Sequence, residues 1–223
     1  AGALTGKVKK ATNGDKMTLH EIMLAEELPT DGDLQSVQNP DAPNLDSAKD
    51  GMPFYFKDLR TSEYIFFRAY IEGLTENIQP VYTYERAERE LNFTLKLVAQ
   101  TEKEFDRIYE KLEHLTSLCY PQYVDENETA PEGETGYGQR MKTPLTRLRY
   151  GDMYGRTNKE LMGYIKSLSY SIDQSSTYDT RVGKRAPKHI IATIGYQVIH
   201  NQAPSINMSQ DRKQKFYGVN ERL

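Results

Sequence analysis

The stretch NFTLKLVAQTEKEFDRIYEKLEHLTSLCYPQY, Asn92 to Tyr123, contains a change of period that decides the fold. Leu91, Phe93, Leu95, Leu97 and Ala99 fall on one face of an extended chain, with Asn92, Thr94 and Lys96 opposite. Period two with one wet face predicts a strand of an antiparallel sheet. At Thr101 the period becomes helical. Thr101 and Glu104 have capping-box spacing, and Phe105, Ile108, Tyr109, Leu112 and Leu115 form one apolar stripe. Pro121 bars continuation, so the helix should end near Leu118 or Cys119.

On either side of this unit the chain reads as more strands. EYIFFRAYIEG (63–73) alternates, with Ile65, Phe67, Ala69 and Ile71 on one face and Tyr64, Phe66, Arg68, Tyr70 and Glu72 on the other; we read it as one strand. PLTRLRYGDMY from Pro144, LMGYIKSLSYSI (161–172) and KHIIATIGYQVIH (188–200) follow, the last with Ile190, Ala192, Ile194, Tyr196 and Val198 on one face. Five or six antiparallel strands and one principal helix predict a mainly antiparallel α+β domain. The expected form is a small sandwich or part-closed barrel, with the helix over an end or edge.

Residues 1–50 are polar and weakly patterned. TLHEIMLAEEL (18–28) offers a short helix capped by Thr18 and Glu21, and PTDGDLQSVQNPDAPNLDSAKDG (29–51) has loop or linker composition. The expected division is a polar N-terminal arm over 1–50, a domain over 51–205 with inserted loops at about 122–142 and 173–187, and a C-terminal tail over 206–223.

Length and composition bound the function. The 223 residues can bury a sizeable core, and the net charge of −3 provides no whole-chain basic field for nucleic acid. Sixteen Tyr and no Trp suit half-buried sheet surfaces and interfaces. One cysteine, Cys119, excludes an internal disulfide. No apolar run is long enough for a membrane helix, and nothing at the start reads as a signal peptide. A first residue of Ala1 leads us to expect a processed form or a fragment.

The motifs that carry chemistry fail on spacing. Gly2, Gly6 and Lys7 miss the phosphate-loop spacing, and Val8 has no hydroxyl for magnesium. His20, His114, His189 and His200 lack metal-ligand spacing. Cys119 has no basic neighbour to lower its pKa and reads as a small buried hydrophobe. The acidic residues of the helix alternate with Lys103, Arg107 and Lys111, as on a solvated face. No cofactor, metal or catalytic residue is therefore expected.

Charge placement supplies a candidate interface. The loop VDENETAPEGETGYGQ (124–139) carries Asp125, Glu126, Glu128, Glu132 and Glu134, and Arg140, Lys142, Arg147 and Arg149 follow it. The loop DQSSTYDTRVGKRAP (173–187) carries Arg181, Lys184 and Arg185, with Lys188 next. If identical subunits sit side by side, Glu132 and Glu134 of one can face Arg181, Lys184 and Arg185 of the next, a contact that closes into a ring when the rotation allows.

In order, YERAERELNFTL, CYPQY, LRYGDMY and GYIKSLSYSID, followed by HIIATIGYQVIHNQAP, resemble the tube-initiator and tail-tube junction proteins of contractile bacteriophage baseplates. The resemblance covers roughly Met52 to Pro204. It implies a tail-tube-like fold of two packed antiparallel sheets with a helix at the side. It further implies a hexameric ring whose sheets join into one barrel on the baseplate hub and template tube assembly. The implied partners are other copies, hub proteins and tail-tube proteins, with DNA passing the lumen without specific binding and with no membrane. The implied location is the virion, after assembly in the host cytoplasm. Two other classes remain open: a nucleic-acid-binding module using the basic cluster 181–188, and an enzyme whose site assembles only in space, around Cys119 and a histidine.

Overall fold

A computed structural model describes residues 18–25, 27–34, 44–48, 51–80, 87–124, 140–155, 160–173, 175–200 and 217. The two elements of the deciding stretch form as their patterns require. β4 (Ala87–Val98) turns Leu91, Phe93, Leu95 and Leu97 inward, each at most 2% exposed. α3 (Glu102–Ser117) starts at Thr101, whose hydroxyl accepts from the Glu104 N–H while the Glu104 carboxylate accepts from the Thr101 N–H. Leu118 caps the far end.

The other strands are β1 (Phe54–Asp58), β2 (Tyr64–Phe66), β3 (Tyr70–Pro80), β7 (Thr146–Tyr150), β8 (Leu161–Ile172) and β9 (His189–Val198). With β4 they form one seven-stranded antiparallel sheet in the order β2-β1-β7-β8-β9-β4-β3. A separate ribbon pairs β5 (Gln122–Val124) with β6 (Arg140–Lys142). β9 buries Ile190, Ala192, Ile194, Tyr196 and Val198, the face expected from its alternation.

The sheet folds over on itself. β7 meets β8 only through Thr146↔Gly163, Arg147↔Met162 and Leu148↔Leu161. The Tyr196 hydroxyl pins this corner, lying 3.0 Å from the carbonyl oxygens of both Thr146 and Leu161. Beyond it the short strands β2-β1-β7 cross over the long strands β8-β9-β4-β3. Phe56 stacks on Phe93 at 6.4 Å between centroids, and Phe54 meets Phe93 edge-on at 5.8 Å. α3 covers the rest of the inner face, bringing Leu112, Leu115 and Leu118 into the same core.

The reading of 63–73 as one strand is corrected. Tyr64–Phe66 pairs with β1, Tyr70 begins the strand that pairs with β4, and three residues carry the chain from one edge of the sheet to the other. The alternation survives the break because Phe67 remains inward, 3% exposed, and donates its N–H to the Phe54 carbonyl at 3.2 Å. β1 carries no alternation in the sequence, because all five of its residues are buried.

Both of its faces are covered. α1 (Leu19–Met23) forms on the expected Thr18–Glu21 capping box. With α2 (Asp31–Leu34) and a 3-10 turn (Leu45–Ser47), it lies over the outer face of β1 and β2. Leu19, Ile22, Met23, Leu34 and Leu45 close on Tyr55, Tyr64 and Phe66 as a second core. Polar pins fix this layer. Arg149, fully buried, reaches Asp46 Oδ1 at 2.7 Å, and the Tyr64 hydroxyl donates to Asp31 at 2.6 Å. The stretch 29–51 read as linker thus contributes two short helical turns, each started by a local Asp or Asn contact. Asp33 accepts from the Thr30 N–H, and Asn44 accepts from the Asp46 N–H.

Candidate assembly surface

The long strands β3, β4, β9 and β8 make a four-stranded sheet with two open edges. Among the described residues, β3 pairs with β4 and with no other strand. β8 pairs with β9 along its length, but with β7 only through Leu161–Gly163, so among the described residues the outer edge of Tyr164–Ile172 is open. Among the described residues, no backbone hydrogen bond reaches either outer edge. By contrast, the edge at β2 is capped: Tyr64 donates its N–H to the Pro29 carbonyl at 2.8 Å, and Thr30 bridges to Glu63. Three antiparallel steps separate β3 from β8, so the two open edges run in opposite directions.

The outer face of this sheet is largely polar, and its lysines are paired with carboxylates. Thr75, Asn92, Gly195 and Ser167 form one row, and Glu72, Thr94, Thr193 and Ser169 the next. Glu72 pairs with Lys96, and Glu90 with Lys166, both at 2.9 Å. A β-bulge between Ile165 and Ser167 places Lys166 on this face and turns Leu168, Tyr170 and Ile172 inward. Gly195 keeps the row tight: a Cβ there would come within 2.4 Å of the Ser167 hydroxyl.

The inner side of the β8 edge has a different character. Tyr170 and Ile172 occupy inward positions yet are 41% and 53% exposed, since among the described residues no strand lies beyond them. They border a groove of about 600 Å3, walled by Tyr109, Leu112 and Thr116 of α3 and by Pro187 and Ile190. The Tyr170 hydroxyl lies 2.9 Å from that of Thr116, and Tyr109 donates to the Pro187 carbonyl at 2.8 Å. At the opposite edge, β3 presents Ile78, also inward in register and 54% exposed.

The charged residues expected at an interface are distributed as follows. Arg181 makes a forked contact with Asp179 and reaches Glu102 of α3 at 2.9 Å, while Lys184 pairs with Asp106 of α3. Hydrogen bonds from the Arg181 side chain and N–H hold the Asp179 carboxyl down at about 2. These contacts strap the loop to α3 within one chain. Arg185 is exposed at the rim of the groove. Glu132, Glu134 and the rest of the acidic loop lie outside the described residues. Arg147 and Arg149, read as basic residues following that loop, instead pair with Glu160 at 3.6 Å and Asp46 at 2.7 Å under the N-terminal layer.

A buried polar cluster that the sequence did not reveal sits inside the β3–β4 hairpin. Arg89, 3% exposed, pairs with Glu76, which also accepts from the Tyr154 and Tyr217 hydroxyls at 2.8 and 2.7 Å. Burial pushes the Glu76 carboxyl upward, but the bonds from Tyr217, Tyr154 and Arg89 outweigh it and hold the group below the usual range. Tyr217 belongs to the C-terminal tail, so part of that tail docks on the edge hairpin. Four aligned residues, far apart in the chain and without common spacing, carry no signal in sequence. Cys119 is half-buried, and burial pushes its thiol upward, away from thiolate reactivity. Among the described residues, no helix is long and apolar enough to cross a membrane. No protein-family model matches the chain, and no curated protein matches it.

Proposed function

We propose that the chain is a structural subunit of a phage baseplate or tail tube. Six copies form a ring that links the baseplate hub to the tail tube and templates tube assembly, and the protein does no chemistry of its own. The observation that carries this reading is the pair of edges on β3 and β8 that the described residues leave open, beside a β2 edge that is capped. Open edges recruit strands, and proteins that must stay monomeric blunt them. Because β3 and β8 run in opposite directions, rotation about an axis sets β3 of one copy antiparallel to β8 of the next. A head-to-tail contact of this kind closes into a ring. Six copies of four strands make a barrel of about 24 strands, above the size at which barrels enclose an aqueous channel.

The polar outer face suits the wall of such a channel. Its ammonium groups pair with Glu72 and Glu90, so DNA passing the lumen meets no unbalanced cations on that wall. Hub and tube proteins above and below are the remaining partners, and the virion is the location this reading assigns.

The test is the mass of the purified protein in solution, alone and with baseplate hub proteins, followed by electron microscopy of any large species. Rings with an open channel are expected. A monomer that stays monomeric with every hub protein defeats the reading.

A further inference from the structure

The groove beside the β8 edge has a specific occupant. The geometry points to a second copy of this chain, whose β3 seats its inward side chain Ile71 opposite Tyr170 and beside Ile172 of the first, against α3. This inference rests on the ring reading and gives it a packing contact.

Three observations on the two edges lead to it. First, inward rows cross the whole four-stranded sheet, and one of them runs Ile71, Leu95, Ala192, Tyr170. Continued in register, that row passes from Tyr170 to Ile71 of the next copy, one strand spacing of about 4.8 Å away. A one-residue slip would turn the apolar side chains outward, so burial on this side fixes which face of β3 turns inward, and the unshifted row sets Ile71 opposite Tyr170. Second, Tyr170 and Ile172 are inward residues of β8 that stay 41% and 53% exposed beside the groove, with the Tyr170 hydroxyl set against Thr116 of α3. Third, the walls are held before any partner arrives. Lys184 to Asp106 and Arg181 to Glu102 tie the 175–187 loop to α3, and Tyr109 fixes Pro187. An open strand edge alone offers hydrogen bonds to any extended peptide. An edge with a preformed apolar groove beneath it selects a strand carrying a branched side chain at the matching inward position.

Head-to-tail assembly allows a test by mixing. Ile172→Asp spoils the groove and leaves β3 intact; Ile71→Asp spoils β3 and leaves the groove intact. Each substitution should raise the protein concentration needed for half-assembly more than about tenfold, because it buries an unpaired carboxylate. A mixture of the two should stop at a one-to-one heterodimer, since only one junction joins an intact groove to an intact β3. Because Ile71 is half-buried, a milder pair gives an independent measurement: Ile71→Cys with Tyr170→Cys, directly opposite in the continued row, in a Cys119→Ser background, should form a disulfide between copies on oxidation. Rings that persist in Ile172→Asp, or rings that form without the cross-link, overturn the groove and leave the ring reading standing. Two folded single variants that both fail to assemble and do not pair on mixing also overturn it. An unsubstituted chain that remains monomeric with every hub protein overturns both.

Discussion

Phe66 and Tyr70 are four residues apart in the chain and lie on the two outermost strands of a seven-stranded sheet. Four residue steps reach at most about 14 Å, so the two edges of the sheet must come together at this point. The residues between them close the fold at one corner as Tyr196 closes it at the other. Phe67 fills that corner, in contact distance of the Phe54 and Phe56 rings.

Phe67→Ala should therefore cost about 3–5 kcal/mol, the range for a large aromatic removed from a core that cannot collapse around the gap. Arg68→Ala, one residue on and exposed, removes only a surface ion pair with Glu104 at 3.0 Å and should cost about 1 kcal/mol or less. Denaturant midpoints at constant slope would check both. Equal costs would mean that the crossing segment is not a core element.

Two glycines on neighbouring strands should respond differently to a methyl group. A Cβ at Gly163 would lie 2.1 Å from the Gln197 carbonyl oxygen, which is backbone and cannot turn aside. A Cβ at Gly195 would meet the Ser167 hydroxyl at 2.4 Å, and a rotamer change relieves that contact. Gly163→Ala should cost upwards of about 2 kcal/mol and loosen the β7–β8 corner, while Gly195→Ala should cost clearly less. Thermal unfolding of the two variants side by side decides this.

The buried pair that anchors the N-terminal layer gives an asymmetric expectation. Asp46→Ala leaves the buried guanidinium of Arg149 without its 2.7 Å partner and should cost about 3 kcal/mol or more. Arg149→Met removes the buried charge itself, fills similar volume and should cost less. Urea denaturation, with limited proteolysis of residues 18–48 as a second readout, would show whether the layer detaches. A smaller cost for Asp46→Ala than for Arg149→Met would mean that the pair does not govern the docking.

Lys111 makes stability depend on pH. Burial, followed by repulsion from Arg107, lowers its ammonium from 10.5 to about 8, while its Nζ donates to the Met23 carbonyl. Between those values the unfolded chain holds more protons than the folded one, so stability rises with pH. The expected gain from pH 8 to 10 is on the order of 1–2 kcal/mol. Above 10 the trend reverses, because burial raises the hydroxyl pKa of Tyr55, Tyr64, Tyr154 and Tyr196, and the unfolded chain then loses protons first. Lys111→Met should abolish the rise and keep the fall, measured as unfolding free energy against pH.

The local elements were legible in the sequence wherever a single residue interval dictated the structure. Thr101 with Glu104 and Thr18 with Glu21 specify helix starts through contacts three residues apart. The alternations of β4 and β9 specify strands because each has one dry and one wet face. Pro121 likewise marked the end of α3.

The tertiary structure alone decided the rest. β1 shows no period because the N-terminal layer buries the face that would otherwise be wet. The alternation from Tyr64 to Glu72 runs unbroken, yet only the choice of partner strand divides it between two edges. Arg181 and Lys184, read as candidate interface cations, also meet Glu102 and Asp106 of α3, opposite charges far away in the chain. The open edges and the groove below β8 are likewise invisible in one dimension. They are defined by where neighbouring strands stop, and strand pairing is a contact between segments whose separation along the chain carries no periodic mark.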